Sequence, residues 1–219
     1  SDPSYYSIKT NGKADASLYI DQHRFSADEV TMVLLGALPL DWMPDAKLIA
    51  NIGFGSGLTV DTVLASEKLE HLDTIEIEPS IVEGARLFEK RVGRAFNDQR
   101  NHFHFEDAKT FFSQHNQKYD VIISEPSNPW VSGVSSLFTD EFYQHVKRYL
   151  REDGLLVQWI QLYEINVELV SSIMKAMNKN FDDYVIYHGS GGDIIILAKP
   201  KGKMGEPSKT LFKNDELKT

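Results

Sequence analysis

A run of closely spaced glycines is the first feature of this chain whose residue types could do chemistry. Gly53-Phe54-Gly55-Ser56-Gly57 follows a short apolar segment and precedes a stretch with helical spacing. Glycines at such a junction let the backbone turn tightly and approach a ligand at the positive end of the helix. The spacing is G-x-G-x-G, and Leu58 stands where the dinucleotide fingerprint requires its last glycine. By itself the run is consistent with a ligand loop or with a tight turn.

Acidic residues follow the next two predicted strands. Glu76 comes 19 residues after Gly57, at the end of an apolar strand, where a carboxylate can accept both hydroxyls of a ribose. Glu78 competes for this role, and a solvated glutamate without a ligand is the other alternative. Asp107 either accepts from an adenine amino group, with small Ala108 leaving room for the base, or caps a helix. A glycine loop and an acid at this separation favour a nucleoside ligand.

A third acid begins a loop with two prolines, Glu125-Pro126-Ser127-Asn128-Pro129-Trp130, directly after an apolar run. Ligands of open α/β sheets bind beyond the carboxyl ends of the strands, which is where this loop begins. Trp130 offers an aromatic face that attracts a cation. Glu125 is therefore a candidate to accept a proton from an amine nucleophile or to stabilise a cationic centre. The alternative is a rigid loop with an exposed acid.

The candidate residues lie at the ends of strands in a regular strand–helix alternation. Five apolar runs predict parallel strands, namely Leu48–Ile52, Leu72–Ile77, Phe103–Phe105, Tyr119–Ser124 and Leu155–Trp159. Tyr184–Tyr187 and Ile194–Leu197 are separated only by a glycine-rich turn, so they must pair antiparallel. The predicted fold class is α/β and Rossmann-like, with a mostly parallel seven-stranded sheet that ends in a C-terminal antiparallel hairpin.

The chain is predicted to divide into three segments, which are a small β-hairpin region at 1–26, a Rossmann-like ligand-binding domain at 27–199 and a solvated tail at 200–219. The hairpin is predicted because Asn11-Gly12 is a strong turn signal. The first helix of the domain is predicted over Ala27–Leu38. We expect Ser26 to cap it and Pro39 to stop it.

The composition excludes several classes of function. The 219 residues include 32 Asp and Glu against 23 Lys and Arg, a net charge of −9 that argues against a nucleic-acid partner. The same charge mildly favours cationic ligands. The absence of cysteine excludes disulfides, thiolate metal sites and cysteine nucleophiles. No histidine pair has metal-ligand spacing, and no apolar run reaches the ~18 residues of a membrane span, so we predict neither feature.

Taken in chain order, several motifs resemble the spermidine/spermine synthases, which are polyamine aminopropyltransferases with the class I S-adenosylmethionine methyltransferase fold. The similarity covers residues 5–198. Its motifs are Gly53–Gly57, Ile75–Glu78, Asp107-Ala108, Tyr119–Glu125 and Ser136–Tyr143. The segments Glu125–Trp130 and Gln158–Tyr163 are more similar still to spermidine-synthase-like domains fused to bacterial membrane proteins.

The resemblance implies a role for each matching residue. Glu125 occupies the catalytic position. Decarboxylated S-adenosylmethionine, or S-adenosylmethionine itself, is the implied co-substrate, with no metal. Its binding residues are Gly53, Gly55, Ser56, Gly57, Glu76, Asp107 and Ala108. The implied partner is a small, putrescine-like amine acceptor, and the residues expected to contact it are Asn128, Trp130, Gln158 and Tyr163.

The sequence departs from the family pattern mainly where the amines would bind. Two family aspartates are here Glu125 and Asn128, a third is Ser56, and a Tyr-Gln pair is replaced by Thr31-Met32. Aminopropyl transfer in polyamine biosynthesis is the main functional prediction. Methyl transfer to a small molecule is the first alternative, because an aspartate in place of Ser56 would repel the carboxylate of intact S-adenosylmethionine. A non-catalytic nucleoside or polyamine sensor is the second, and Leu58 argues against an NAD-dependent oxidoreductase.

The resemblance to fused proteins also bears on cellular context. It implies a cytoplasmic domain, either free or joined covalently to the membrane domain of a bacterial inner-membrane protein. A homodimer is compatible with the family resemblance. The start at Ser1 rather than at methionine suggests a segment of a longer gene product.

Overall fold

The computed structural model describes residues 4–10, 13–20, 24–126, 134–162 and 165–209. Within these ranges the strands are β1 (Tyr5–Thr10), β2 (Lys13–Tyr19), β3 (Leu48–Ile52), β4 (His71–Ile75), β5 (Asn101–His104), β6 (Tyr119–Ser124), β7 (Leu150–Gln161), β8 (Asp183–His188) and β9 (Asp193–Lys199). The helices are α1 (Ala27–Trp42), α2 (Leu58–Leu64), α3 (Pro79–Ala85), α4 (Gly93–Asn97), α5 (Ala108–Gln114), α6 (Asp140–Lys147) and α7 (Val167–Asn180). Short 3-10 turns cover Arg86–Phe88 and Val134–Phe138.

Seven strands form one sheet in the order β5-β4-β3-β6-β7-β9-β8. The strands from β5 to β7 are parallel, whereas β9 is antiparallel to both of its neighbours. The predicted fold class, including the C-terminal hairpin, is confirmed. The strand that follows β3 in the chain, β4, lies toward one edge of the sheet, and the strand that follows β6, β7, lies toward the opposite edge. The carboxyl ends of β3 and β6 therefore form the switch point where such sheets bind ligands.

The core lies on both faces of this sheet. On one face, residues such as Leu35 of α1 and Val63 of α2 pack on the strands. On the other, residues such as Phe111 of α5, Phe142 of α6 and Ile173 of α7 do so. Among the helices in the described ranges, none combines the length and apolar character that crossing a bilayer requires.

The first helix is longer than its sequence predicts. Ser26 caps α1 as expected, but the helix continues through Pro39 to Trp42, so the predicted stop is wrong. A proline inside a helix removes one hydrogen bond, and burial of α1 outweighs that loss. Gly36 contributes to the burial because a Cβ atom there would lie 2.8 Å from the Thr59 carbonyl oxygen. The close α1–α2 crossing is important for the candidate site.

Two strand ends also differ from prediction, in ways that matter for ligand binding. β4 ends at Ile75, before the predicted Ile77, so Glu76 is the first residue beyond the strand. Its backbone N–H still donates to the His104 carbonyl at 2.9 Å, which holds Glu76 at the sheet edge. β7 is longer than predicted and runs from Leu150 to Gln161, because Leu150 pairs with Tyr119 of β6 and the carboxyl end pairs with β9 as far as Gln161.

The N-terminal strands form the predicted hairpin, although its turn at Asn11-Gly12 lies outside the described residues. A buried ion pair fastens this hairpin to the main domain. Glu29, whose side chain is fully buried, accepts from Arg91 at 2.5 Å and from the Tyr19 backbone N–H at 2.8 Å. Arg91 also donates to the Tyr19 carbonyl at 2.6 Å. One carboxylate therefore joins β2, α1 and the segment before α4.

Replacing Glu29 by alanine is expected to lower the free energy of unfolding by about 3–5 kcal/mol, because Arg91 would be left as an uncompensated buried charge. The measurement is urea denaturation followed by circular dichroism. Glu89→Ala is the matched control, since Glu89 pairs with Arg86 at the surface and such pairs contribute about 1 kcal/mol at most. Equal losses for the two variants would contradict the assigned role of Glu29.

Residues 200–209 follow β9 and contain mostly exposed side chains. Several contacts hold this segment to the domain, among them hydrogen bonds from the Gly202 and Met204 N–H groups to Asp182 and Asp183. Ser208 binds Asp41 of α1 through both its backbone N–H, at 2.8 Å, and its hydroxyl, at 2.9 Å. Met204 packs against the face of the core that contains α1. The remainder of the predicted tail lies outside the described residues.

Candidate active site

The glycine loop lies between β3 and α2, at the switch point of the sheet. The Gly53 N–H donates to the Ile75 carbonyl at 2.8 Å, and the Phe54 N–H donates to Glu76 Oε2 at 3.0 Å. The loop is therefore fixed to the end of β4. Gly55 is partly exposed, and Gly57 immediately precedes the first residue of α2. These contacts place the predicted loop and the predicted ribose-binding acid side by side.

Gly53 also sets the distance between the glycine loop and Glu125. Its φ angle is +89°, and a Cβ atom there would lie 2.4 Å from the Glu125 carbonyl oxygen. The Glu125 N–H in turn donates to the Ile52 carbonyl at 2.9 Å. A residue with a side chain would be strained at this angle and would push the backbone of Glu125 away from β3.

Gly53→Ala is therefore expected to destabilise the protein by about 2–4 kcal/mol, from the strained backbone and the steric clash with Glu125. Thermal and urea unfolding measure this effect. Gly93→Ala is the matched control, because a Cβ atom at Gly93 would meet nothing within 4 Å and the backbone there is not left-handed. If Gly53→Ala were as stable as Gly93→Ala, the close approach of β3 and residue 125 would not be rigid.

Glu76 is 8% exposed and is oriented by two backbone donors. Oε2 accepts from Phe54 and Oε1 accepts from the Glu78 N–H at 2.9 Å. A carboxylate has about four lone-pair sites, so these bonds leave capacity for ligand hydroxyls. Glu78 instead caps α3, with its own carboxylate accepting from the Ser80 N–H at 3.2 Å. The geometry favours Glu76 over Glu78 as the ribose acceptor, which remains a prediction.

Asp107 and Ala108 occupy the junction between β5 and α5. Asp107 is the N-cap of α5, with Oδ1 accepting from the Thr110 N–H at 3.1 Å. The helix-cap alternative is therefore observed, and contact of Asp107 with an adenine remains a prediction. Ala108 is 5% exposed and packs in the core cluster that contains Phe111. Both residues lie at the same sheet edge as Glu76.

Glu125 is the most perturbed acid of the candidate site. Oε2 is buried and has no hydrogen-bond partner in the described part of the chain. Burial raises the pKa of Glu125 to about 8, a hydrogen bond with Thr59 of α2 opposes this, and the negative charge of Glu76 adds to it. In the absence of a ligand the carboxyl is therefore mostly protonated at neutral pH. An approaching cation would favour its ionised form.

The raised pKa of Glu125 predicts how the stability of the protein depends on pH. The ordinary value is 4.5 and the folded value is about 8, so the folded state retains a proton that the unfolded state releases between these pH values. As the pH rises through that window, this group lowers the free energy of unfolding by up to about 1.4 kcal/mol for each pH unit. The decrease ends near pH 8, where the carboxyl of the folded state also ionises. Glu125→Gln should therefore gain stability relative to the native protein from pH 5 to pH 8. Parallel stability curves would contradict the raised pKa.

Ser56 faces the protein interior. It is fully buried, its hydroxyl donates to the Met32 sulfur at 3.1 Å, and it accepts from the Leu58 N–H at 3.3 Å. The hydroxyl thus joins the glycine loop to α1. Its predicted role in cofactor binding is untested, and a direct contact would require the side chain to leave these partners.

Of the residues predicted to bind the acceptor, the structure describes only Gln158. Gln158 is fully buried on β7, where it accepts from the Tyr143 hydroxyl at 3.3 Å and donates to the Trp159 carbonyl at 3.0 Å. These bonds support the sheet beside Glu125, and a contact with substrate stays a prediction. Asn128, Trp130 and Tyr163 lie outside the described residues.

One buried acid at this edge of the sheet was not predicted as a site residue. Asp193, the first residue of β9, is 4% exposed, and its Oδ2 accepts from the Thr31 hydroxyl of α1 at 2.9 Å. An acid directly after the glycine-rich turn was a sequence signal, but one also expected of an ordinary hairpin. Thr59 was missed as well, because its contact with Glu125 depends on how α2 crosses the sheet.

The sheet order and the helices on both faces define a domain of the class I methyltransferase type. Two solved structures share this fold. A spermidine synthase in complex with the transition state analogue AdoDATO has a TM-score of 0.77 at 24% identity, covering 87% of this chain and 68% of that one. Human methyltransferase-like protein 13 in complex with SAH has a TM-score of 0.65 at 17% identity, covering 85% and 87%.

A match to the spermine/spermidine synthase domain extends over residues 30–189. The chain therefore belongs to the spermine/spermidine synthase family, which confirms the resemblance of its motifs. The polyamine aminopropyltransferase of Caldicellulosiruptor bescii is 29% identical over 156 residues, covering 71% of this chain and 56% of that protein. That of Clostridium perfringens is 34% identical over 120 residues, covering 55% and 42%. The chain thus spans about half the length of the curated relatives it matches.

Proposed function

We propose that this domain transfers an aminopropyl group from decarboxylated S-adenosylmethionine to a small amine. The observation that carries the proposal is Glu125, a half-buried residue whose Oε2 is buried and unpaired in the described structure, beside the glycine loop and Glu76. The relatives of this chain are named polyamine aminopropyltransferases, which supports the same reaction class. Glu76 would accept the ribose hydroxyls, and Asp107 would contact the adenine.

The proposed reaction is a single displacement. The lone pair of the acceptor nitrogen attacks the methylene carbon beside the sulfonium, and the carbon–sulfur bond breaks with its electron pair going to sulfur. The products are a neutral thioether, methylthioadenosine, and an alkylated amine. Most of the rate enhancement comes from holding nitrogen and carbon about 3 Å apart in line and in a site with little water.

Glu125 has two tasks in this scheme. The positive sulfonium favours ionisation of the carboxyl, which lowers its raised pKa when the donor binds. The resulting carboxylate accepts the proton that the nitrogen loses during attack. Donor binding should consequently release protons near neutral pH, and calorimetry in buffers of different ionisation enthalpy measures that release. Uptake of protons, or no change, would count against this part of the mechanism.

The test of the proposal combines binding with turnover. Calorimetric titrations would compare decarboxylated S-adenosylmethionine, S-adenosylmethionine, methylthioadenosine and NAD. Mass spectrometry would then follow the products formed from decarboxylated S-adenosylmethionine and 1,4-diaminobutane. We expect binding of the adenosyl thioether and sulfonium compounds, no binding of NAD, and an aminopropylated amine as product. Tight donor binding without product from a panel of amines would overturn aminopropyl transfer and leave a sensor function.

Methyl transfer to a small molecule is the second candidate function. The observation in its favour is Ser56, which is uncharged and buried where the resemblance implies an acid directed at the amine end of the donor. Intact S-adenosylmethionine carries a carboxylate in this region, and a serine does not repel it. A methylated product, together with tighter binding of S-adenosylmethionine than of the decarboxylated form, would select this candidate.

The setting of the reaction also remains a proposal. The resemblance to fused proteins supports a cytoplasmic domain attached to a bacterial membrane segment, and a homodimer is a separate prediction. Detecting the full-length gene product in membrane or cytosolic fractions tests attachment. Sedimentation equilibrium of the 219-residue chain tests dimerisation.

A further inference from the structure

A buried hydroxyl, that of Thr59, lies beside the candidate catalytic acid and has no role in the reaction as described so far. Thr59 is the second residue of α2, is 1% exposed, and donates through Oγ1 to the Met32 carbonyl of α1 at 3.1 Å. The same hydroxyl forms a hydrogen bond with the carboxyl of Glu125. Thr59 therefore connects α1 with the acid at the end of β6.

The position of Thr59 is fixed by the close crossing of α1 and α2. A Cβ atom added at Gly36 of α1 would lie 2.8 Å from the Thr59 carbonyl oxygen and 2.8 Å from Cβ of Thr62. The two helices thus approach each other as closely as a glycine allows. Threonine is also β-branched, which leaves its side chain few χ1 rotamers. The Thr59 hydroxyl is therefore a fixed point against which a neighbouring side chain can be oriented.

The backbone of Glu125 is held from the side of β3. Its N–H donates to the Ile52 carbonyl at 2.9 Å, and its carbonyl oxygen lies 2.4 Å from the Cβ position of Gly53. These contacts fix the main chain and leave the side-chain torsions undetermined. Among the residues that the structure describes, Thr59 supplies the one side-chain hydrogen bond that acts on the Glu125 carboxyl. The orientation of the carboxyl consequently depends on Thr59.

What the hydroxyl offers Glu125 depends on the charge of the carboxyl, because a hydroxyl has one proton and two lone pairs. A neutral Glu125 can donate its own O–H to Thr59 Oγ1, which keeps its bond to the Met32 carbonyl. An ionised Glu125 only accepts, so the Thr59 proton has to turn from Met32 to the carboxylate. A hydrogen bond to a charged group is about twice as strong as one between neutral groups, so this exchange favours ionisation.

The charge surroundings of Glu125 agree with this account. In the described structure the one charged group that acts on it is Glu76, beyond the end of β4, whose negative charge raises the pKa of Glu125. From α2 it meets the uncharged Thr59, whose hydrogen bond lowers the pKa of Glu125 and so opposes the effects of burial and of Glu76. Thr59 therefore makes the acid easier to ionise.

We propose that Thr59 is a positioning residue for Glu125, and that its hydroxyl turns from the Met32 carbonyl to the carboxylate when Glu125 ionises. In the protein without a ligand, the proton released by Glu125 goes to solvent, and the bond that Thr59 gives up is its hydrogen bond to Met32. The inference rests on the proposed function, because it concerns the acid that accepts the proton in that reaction. It predicts that removing the hydroxyl makes Glu125 harder to ionise.

The direct test is the titration of Glu125 in the 219-residue chain without a ligand. Carbon-13 NMR of protein labelled at the glutamate side-chain carboxyls follows it, and Glu125→Gln identifies the signal by its absence. The native signal should titrate near pH 8. Thr59→Val keeps the shape of the side chain but lacks the hydroxyl. It should titrate about 0.5 to 1 pH unit higher, which is the difference between a charged and a neutral hydrogen bond.

Two variants separate the hydroxyl from the fold. Thr59→Ser keeps the hydroxyl, so Glu125 should titrate within about 0.3 pH unit of its native value. Thr62→Val is the matched control, three residues farther along α2. The Thr62 hydroxyl donates to the Leu58 carbonyl at 2.8 Å and makes no hydrogen bond to Glu125 in the described structure. This control should leave the titration unchanged even where stability falls, and thermal unfolding of each variant establishes that it is folded.

The pH profile of turnover gives a second measurement. Below both pKa values the ionised fraction of Glu125 falls in proportion to the shift, so kcat/KM of Thr59→Val at pH 7 should fall about 3- to 10-fold. The pH at which kcat/KM rises should move upward by the same amount as the NMR titration. Thr59→Ser should return both quantities toward the native values, whereas a residue that only supports packing would not change the profile.

The outcomes distinguish this inference from the proposed function. An unchanged Glu125 titration in Thr59→Val, a raised one that Thr59→Ser does not restore, or an equal shift in Thr62→Val overturns the role of Thr59. Aminopropylated product together with an unchanged titration in Thr59→Val would leave the reaction standing and remove only Thr59 from it. The expected titrations without product from the native protein would keep the role of Thr59 and overturn the transfer reaction.

Discussion

Glu125→Gln is expected to reduce kcat by about 10²- to 10⁴-fold, the usual contribution of a general base. Glutamine has nearly the same shape and leaves the Glu125 backbone bond to Ile52 in place, but it accepts no proton from the attacking nitrogen. The affinity for methylthioadenosine should change less than threefold, because that ligand carries no charge for Glu125 to stabilise. Steady-state kinetics and calorimetry measure the two quantities separately.

A matched control for Glu125→Gln is Glu78→Gln. Glu78 is an exposed glutamate at the same edge of the sheet, where it caps α3 and makes no contact with Glu125 in the described structure. Its replacement should leave kcat within about twofold of the native value and lower stability slightly through the weaker cap. Turnover by Glu125→Gln equal to that of Glu78→Gln would remove Glu125 from the mechanism.

Glu76→Gln is expected to weaken binding of methylthioadenosine by about 10²-fold or more. Hydrogen bonds to a charged group contribute about 1.5–3 kcal/mol each, and the ribose would lose two such bonds to a carboxylate. The amide also has only one oxygen, so it no longer accepts from both Phe54 and Glu78. Calorimetric titration measures the loss, and unchanged affinity would show that the ribose binds elsewhere.

Glu76→Gln should also change the pKa of Glu125, an effect that is not expected if Glu76 has only a structural role. The negative charge of Glu76 contributes to the raised pKa of Glu125, so Glu76→Gln should lower that pKa. The pH at which kcat/KM rises should therefore move to lower values, since kcat/KM reports the ionisation of the free enzyme. An unaltered pH profile would mean that the two carboxylates do not interact across the glycine loop.

Much of the site was accessible from the sequence because strand ends are local features. The glycine run and Glu76 each directly follow an apolar segment, and parallel strands bring such ends to one edge whatever their order. The same logic predicted the position of Glu125. The end of α1 was mispredicted because the burial of this helix, a tertiary effect, outweighs the local effect of Pro39.

The amino-acid sequence by itself determined the class of the sheet, the acids at its ligand edge and the family of the chain, since each depends on residue types at short spacing. Only the tertiary structure decided which acids are buried and what they face. Asp193 and Thr31 are 162 positions apart, and no local pattern connects them. The raised pKa of Glu125 likewise arises from burial and from the charge of Glu76, which follows the end of another strand. Desolvation and charge interactions depend on distances through space, and those distances exist only after α1 and α2 have packed on the sheet.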